Sequence, residues 1–80
     1  MMDSRIKLRH LRSFLETARL GSLSAAAQDL NISQPAMSKS IRELEDILGT
    51  QLFDRSTRRL SLTPAGKVFQ QHVGSGMIAL

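Results

Sequence analysis

Apolar side chains recur along this chain at spacings of three and four residues, interrupted at a few points by Gly, Asn and Pro. Leu8, Leu11, Leu15 and Ala18 share one helical face with Phe14 beside them, while Lys7, Arg9, Arg12, Glu16 and Arg19 fill the rest. Residues 7–19 therefore read as an amphipathic helix that Gly21 ends. Ser24 is the expected N-cap of a second helix running to Leu30, where Ala25-Ala26-Ala27 combine high propensity with side chains small enough for close helix approach. Asn31 tolerates the left-handed conformation needed to leave that helix sharply, and only Asn31-Ile32-Ser33 separates it from the next. Across residues 34–48, at about 100° per residue, Met37, Ile41, Leu44 and Leu48 fall on one side and Gln34, Ser38, Lys39 and Arg42 on the other. Ser33 is placed to cap this third helix, Pro35 suits its first turn, and Gly49 stops it.

From Leu52 the period changes. Leu52-Phe53 and Leu60-Ser61-Leu62 are short apolar runs separated by polar residues, the pattern of a two-stranded hairpin, although no Asn-Gly or Asp-Gly pair fixes its turn. Thr63-Pro64 then offers a cap and a first-turn proline for a last helix. Its Phe69, Val73, Met77 and Leu80 form a stripe, and Gly74 and Gly76 each weaken it by about 1 kcal/mol relative to Ala. Three helices already fill the centre of so small a domain, so the stripe Phe69, Val73, Met77 and Leu80 is read as a dimerisation surface, with packing on the chain's own core the alternative. The order helix, helix, helix, hairpin, helix is that of a mainly α, winged helix-turn-helix fold: a three-helix core, a two-stranded wing and a C-terminal helix.

Composition limits what such a fold can do. With 80 residues and 41% hydrophobic content there is material for one core. No Cys is present, and His10 and His72 are too far apart in sequence to form a ligand cluster. No metal or cofactor is expected, and both histidines are expected at the surface. Eleven Lys and Arg against seven Asp and Glu give a net charge of +4, which favours polyanionic partners. The cations are grouped: Arg55, Arg58 and Arg59 in the hairpin, Lys39 and Arg42 on the third helix. The acids Glu43, Glu45 and Asp46 lie at that helix's far end, expected to point away from phosphate and toward Arg9 or Arg12. No apolar run approaches the ~20 residues that span a bilayer, so the expected location is cytoplasmic, with no membrane partner.

A duplex major groove admits one α-helix and is read mostly from its N-terminal turns. Gln34 can make a bidentate contact with adenine, Ser38 can bond a base edge or phosphate, Arg42 can pair with guanine or phosphate, and Lys39 suits phosphate. The free N–H groups around Ser33 and Gln34 add an anion site. Arg55, Arg58 and Arg59 can enter a minor groove, with a structural ion pair to Asp54 or a helix acid the alternative for Arg55. No catalytic triad, carboxylate pair or Gly-rich phosphate loop is present, so the chain is read as a binding module and not an enzyme. The competing readings are a winged-helix module for protein partners and a nonspecific nucleic-acid-binding protein.

The chain also resembles the N-terminal DNA-binding domain of LysR-type transcriptional regulators. The resemblance lies in Leu11-Arg12-Ser13-Phe14, Gly21-Ser22-Leu23-Ser24-Ala25-Ala26-Ala27, Leu30-Asn31-Ile32-Ser33-Gln34-Pro35-Ala36-Met37-Ser38, Ile41-Arg42-Glu43-Leu44-Glu45, Leu48-Gly49, Leu52-Phe53-Asp54-Arg55 and Leu62-Thr63-Pro64-Ala65-Gly66. It implies a bacterial regulator that binds double-stranded promoter DNA at an imperfect inverted repeat, as a homodimer or, at full length, a tetramer. A small-molecule effector would act through a C-terminal domain not included here. On this reading residues 1–63 are the DNA-binding domain and residues 64–80 begin a dimerising linker helix of a longer regulator. By the family pattern Gln34, Pro35, Ser38, Lys39 and Arg42 carry over as groove contacts, and Arg55 with Arg58 as wing contacts. Asp3-Ser4-Arg5-Ile6-Lys7 with Arg9-His10-Leu11 further resembles the start of members that control protocatechuate and related aromatic-acid catabolism.

Overall fold

Three left-handed residues set the course of the first three helices in the computed structural model, which describes residues 4–56 and 60–79, with side chains through Gly74. Helix α1 (Leu8–Leu20) ends at Gly21, α2 (Leu23–Leu30) at Asn31 and α3 (Gln34–Leu48) at Gly49. Their φ values are 67°, 59° and 71°, and Asn31 is the only non-glycine among the described residues with positive φ. Each of the three turns its N–H back onto its helix: Gly21 to Thr17 O and Gly49 to Glu45 O, both at 2.8 Å, and Asn31 to Gln28 O at 3.1 Å. These bonds satisfy carbonyls that a helix end otherwise leaves open.

The helix starts are equally local. Ser33 Oγ accepts from Ala36 N at 3.2 Å, as expected, with Pro35 in the first turn. The cap of α2, however, is Ser22 and not Ser24: Ser22 has extended backbone, and its Oγ accepts from Ala25 N at 3.2 Å. Gly21 releases the chain one residue earlier, so the helix begins at Leu23 and that leucine packs against the core. At the start of α1 the Lys7 N–H donates to His10 Nδ1 at 2.9 Å.

The buried face of α1 also differs from the one its leucines indicate. His10, Ser13, Phe14 and Thr17 are buried, whereas Leu8 is 59% exposed. The surface expectation for His10 is overturned: its ring is enclosed because Nδ1 serves Lys7 and Nε2 meets Glu43 of α3. Ser13 on the same face is buried as well.

After α3 the chain forms β1 (Phe53–Asp54) and β2 (Ser61–Leu62), antiparallel with Phe53 opposite Leu62 and Asp54 opposite Ser61, then α4 (Pro64–Ala79). The core gathers Phe14, Ala26, Ala27, Met37, Ile41, Leu44, Leu52 and Phe53. Phe14 lies at its centre, 5.4 Å from the Phe53 ring and 5.1 Å from Phe69, the latter edge to face. Phe69 thus packs on the chain's own core, and Val73 is 3% exposed. These two members of the expected dimer stripe are engaged within the chain. The side chain of Met77 and all of Leu80 lie outside the described residues. No helix among the described residues is long and apolar enough to cross a membrane.

α4 is seated on the strand entry by hydrogen bonds and close backbone contact. Thr63 N donates to Leu52 O at 3.0 Å, Thr63 Oγ1 donates to Gln51 O at 2.7 Å, and the same oxygen accepts from Gly66 N at 3.0 Å, the N-cap bond. A Cβ at Gly66 would lie 2.1 Å from Leu52 O, so only glycine allows this approach. Gly74, by contrast, has nothing within 4 Å of a built Cβ. Gly66→Ala is expected to lower stability by about 1–3 kcal/mol or more, and Gly74→Ala to be neutral or to stabilise by up to about 1 kcal/mol. Urea unfolding of both variants checks the contrast; equal effects would remove the close-approach role of Gly66.

Candidate nucleic-acid interface

The first two turns of α3 present a polar, acid-free surface. Gln34, Pro35, Lys39 and Arg42 are exposed and Ser38 is half-buried, while Met37, Ser40, Ile41, Leu44 and Glu45 face inward. Ser33 is exposed at the cap, beside N–H groups that have no acceptor in their own helix. The N-terminus of α2 stands next to that of α3: Ser24 Oγ donates to Gln34 Oε1 at 2.9 Å. Farther along, the same face forms an open cleft of about 590 Å³ with the chain entering β1, lined in part by Ser38, Arg42, Asp46, Thr50, Gln51 and Arg55.

Arg55 is anchored where it enters the wing. Its Nη2 lies 3.1 Å from Glu45 Oε1 and its Nη1 3.4 Å from both Glu45 Oε2 and Phe53 O. The helix-acid alternative for Arg55 therefore holds. Asp54 is turned instead to Ser56, accepting from its Oγ at 2.5 Å and its N at 2.9 Å. The Ser56 hydroxyl, and then its amide, hold the Asp54 carboxyl below the usual aspartate range. The Arg55 side chain remains 42% exposed against 9% for Glu45, so the guanidinium is fixed on one side and open on the other. Arg58 and Arg59 lie outside the described residues.

The acids at the end of α3 have separate tasks. Glu45 Oε2 accepts from Leu52 N at 2.8 Å and Phe53 N at 3.3 Å, a role that no local pattern announces because its partners lie seven and eight residues on. Glu43 Oε1 accepts from Arg9 Nη1 at 2.8 Å and meets His10 Nε2 at 3.0 Å, so Arg9, not Arg12, is the cation it pairs with. Since His10 Nδ1 accepts from Lys7, its Nε2 carries the proton given to Glu43. The Arg9 hydrogen bond, followed by that of His10, lowers the Glu43 pKa. His72 is exposed, as expected. His10 had a signal in the spacing of residues 10, 14 and 17, which share one helical face.

Two helices meeting at a tight turn, a third packed across them and a two-stranded wing define a winged helix-turn-helix domain. The chain belongs to the LysR family of bacterial regulatory helix-turn-helix proteins, whose family model matches residues 8–67. It is 50% identical over 80 residues to the HTH-type transcriptional regulator PcaQ of Agrobacterium fabrum, covering 100% of this chain and 26% of that protein. It is also similar to the BenM DNA-binding domain solved with catB site 1 DNA, with a TM-score of 0.87 and 38% identity over 91% of this chain and 81% of that one. DarR of Vibrio fischeri, solved in complex with DNA, gives a TM-score of 0.88 and 36% identity over 98% of this chain and 26% of that one. The chain thus spans about a quarter of the length of the curated relatives it matches.

Glu45→Ala strands two strand-entry N–H groups and the Arg55 cation, and should cost about 2–4 kcal/mol in unfolding free energy. Arg55→Ala removes only a half-exposed partner and should cost about 1 kcal/mol; a reversed order would shift the anchor from the carboxylate to the guanidinium. A second expectation concerns acid. The folded state favours ionised Glu43, so that group's contribution is full above the ordinary glutamate range and disappears as pH falls through its depressed value. Side-chain carboxyl NMR should find Glu43 titrating lower than an unfolded glutamate and rising in Arg9→Ala; no movement would exclude Arg9 as the cause.

Proposed function

We propose that this chain is the DNA-reading domain of a LysR-type transcriptional regulator, with α3 in the major groove. The observation that carries it is the exposed, acid-free face of Gln34, Pro35, Ser38, Lys39 and Arg42 at the helix's N-terminal end. On this reading Gln34 and Arg42 contact base edges, Ser38 a base or phosphate, and Lys39 with the N–H groups at Ser33 the backbone. Arg55 supports the wing and offers its open side to phosphate, while Arg58 and Arg59 carry the wing's own contacts. The BenM DNA-binding domain and DarR, to which this chain is similar, were solved with DNA, which supports DNA as the partner. The net charge of +4 favours this partner over a protein surface.

The rest of the regulator follows by the same reasoning. Residues 64–80 begin a linker helix through which two copies pair and set the spacing of two half-sites. Val68, 55% exposed, provides apolar surface for that contact, because Phe69 and Val73 are engaged within the chain. A small-molecule effector acts through the part of the regulator that this chain does not span, and the resemblance carried by Asp3-Ser4-Arg5-Ile6-Lys7 with Arg9-His10-Leu11 favours one from aromatic-acid catabolism. The protein works in the cytoplasm, where its promoter DNA is.

Selection from a random duplex pool at near-physiological salt, with competitor DNA, tests the reading. An enriched inverted repeat with fixed half-site spacing is expected; binding without enrichment would leave a nonspecific module, and no binding a protein-directed one. Gln34→Ala should cost about 1–3 kcal/mol on the selected site and relax one base pair, whereas Arg58→Ala should weaken all sequences alike and reduce the salt slope by about one unit.

A further inference from the structure

We infer that Ser24, on α2, is a specificity-determining residue that positions the Gln34 amide for base reading. The inference rests on the DNA-reading role of α3 proposed above. Ser24 is the second residue of α2, and the N-cap role is filled by Ser22. Its hydroxyl is thereby free for another acceptor and donates to Gln34 Oε1 across the helix pair, at 2.9 Å.

The consequence follows from the chemistry of an amide. A glutamine can present its donor and its acceptor in either order, and an exposed one also carries about 1.5–2 kcal/mol of rotamer entropy that a base contact must overcome. With Oε1 engaged by Ser24, the Nε2 donors point away from α2, and one Oε1 lone pair remains. That order fits adenine, whose major-groove edge offers N7 as acceptor and N6 as donor, whereas guanine sets two acceptors there, one of them facing Oε1. The pairing connects the first turn of one helix to the first turn of the other, so the amide is held relative to the helix pair and not only by its own stem. Ser24 is thus a positioning residue that acts through Gln34 and need not touch the base.

The test measures affinities of the chain and of Ser24→Ala, Ser24→Thr, Gln34→Ala and the Ser24→Ala/Gln34→Ala double variant. Each is measured on the selected duplex and on duplexes changed at the base pair that Gln34→Ala relaxes. Discrimination at that pair should fall about two- to tenfold in Ser24→Ala, with other pairs unchanged. The double variant should lose no more than Gln34→Ala alone, and Ser24→Thr, which keeps the hydroxyl, should restore discrimination. Unchanged discrimination in Ser24→Ala, additive losses in the double variant, or equal weakening on every sequence would overturn the positioning role while leaving the reading helix in place. If Gln34→Ala relaxes no pair, the inference falls but DNA reading stands. If the unaltered chain selects no sequence, both fall together. Circular dichroism melting of Ser24→Ala against the unaltered chain separates a folding defect, and Ser24→Thr keeps the test decisive if Ala melts early.

Discussion

A carboxylate enclosed by protein is tolerable only when its lone pairs are occupied, and the arrangement of this domain depends on how Glu45 meets that requirement. Its oxygens accept two N–H groups where the chain turns from the loop after Gly49 into β1, together with the Arg55 guanidinium. These N–H groups have no helix to satisfy them, and the hairpin has only two residues in each strand. The carboxylate thus completes a sheet too short to stabilise itself. Since Glu45 belongs to the helix proposed to read DNA, the start of the wing is registered against that helix by a charge and not by packing alone.

The division of labour along α3 then follows. Its exposed first turns are free of acid because the acids sit farther on and are already committed: Glu45 to the strand entry, Glu43 to Arg9 and His10. A helix with three acids among its last turns would otherwise repel a polyanion along much of its length. Two of the three are instead neutralised locally, and the cations at Lys39 and Arg42 stay available.

Much of this was legible in the chain because the governing interactions are local. Helical periodicity placed α1 and α3 within a residue of their observed bounds, and Gly21, Asn31 and Gly49 announced the three left-handed turns through what their backbones tolerate. Ser22 and Ser24 compete for the same capping role two residues apart, and only the position of Gly21 decides between them. What the sequence hid is non-local. The spacing of His10 with Phe14 and Thr17 hinted at a buried face, but the partner that makes a buried imidazole tolerable there, Glu43, lies far away in the chain. The choice between core and partner for Phe69 could not be made locally, because nothing near it reveals that Phe14 stands 5.1 Å away. Among the residues expected to contact DNA, the exposure of Gln34, Lys39 and Arg42 was foreseeable from their helical face, whereas the anchoring of Arg55 required the fold.

The seat of α4 has a mechanical meaning. Gly66 brings helix backbone directly against the carbonyl of Leu52, with Thr63 bonded to the two residues beneath, so no side chain intervenes to act as a cushion. A joint of this kind transmits torque. Turning or tilting the long helix therefore strains the strand entry first, and since Glu45 holds the N–H of the same Leu52, the strain reaches α3, the helix proposed to read DNA, by way of that carboxylate.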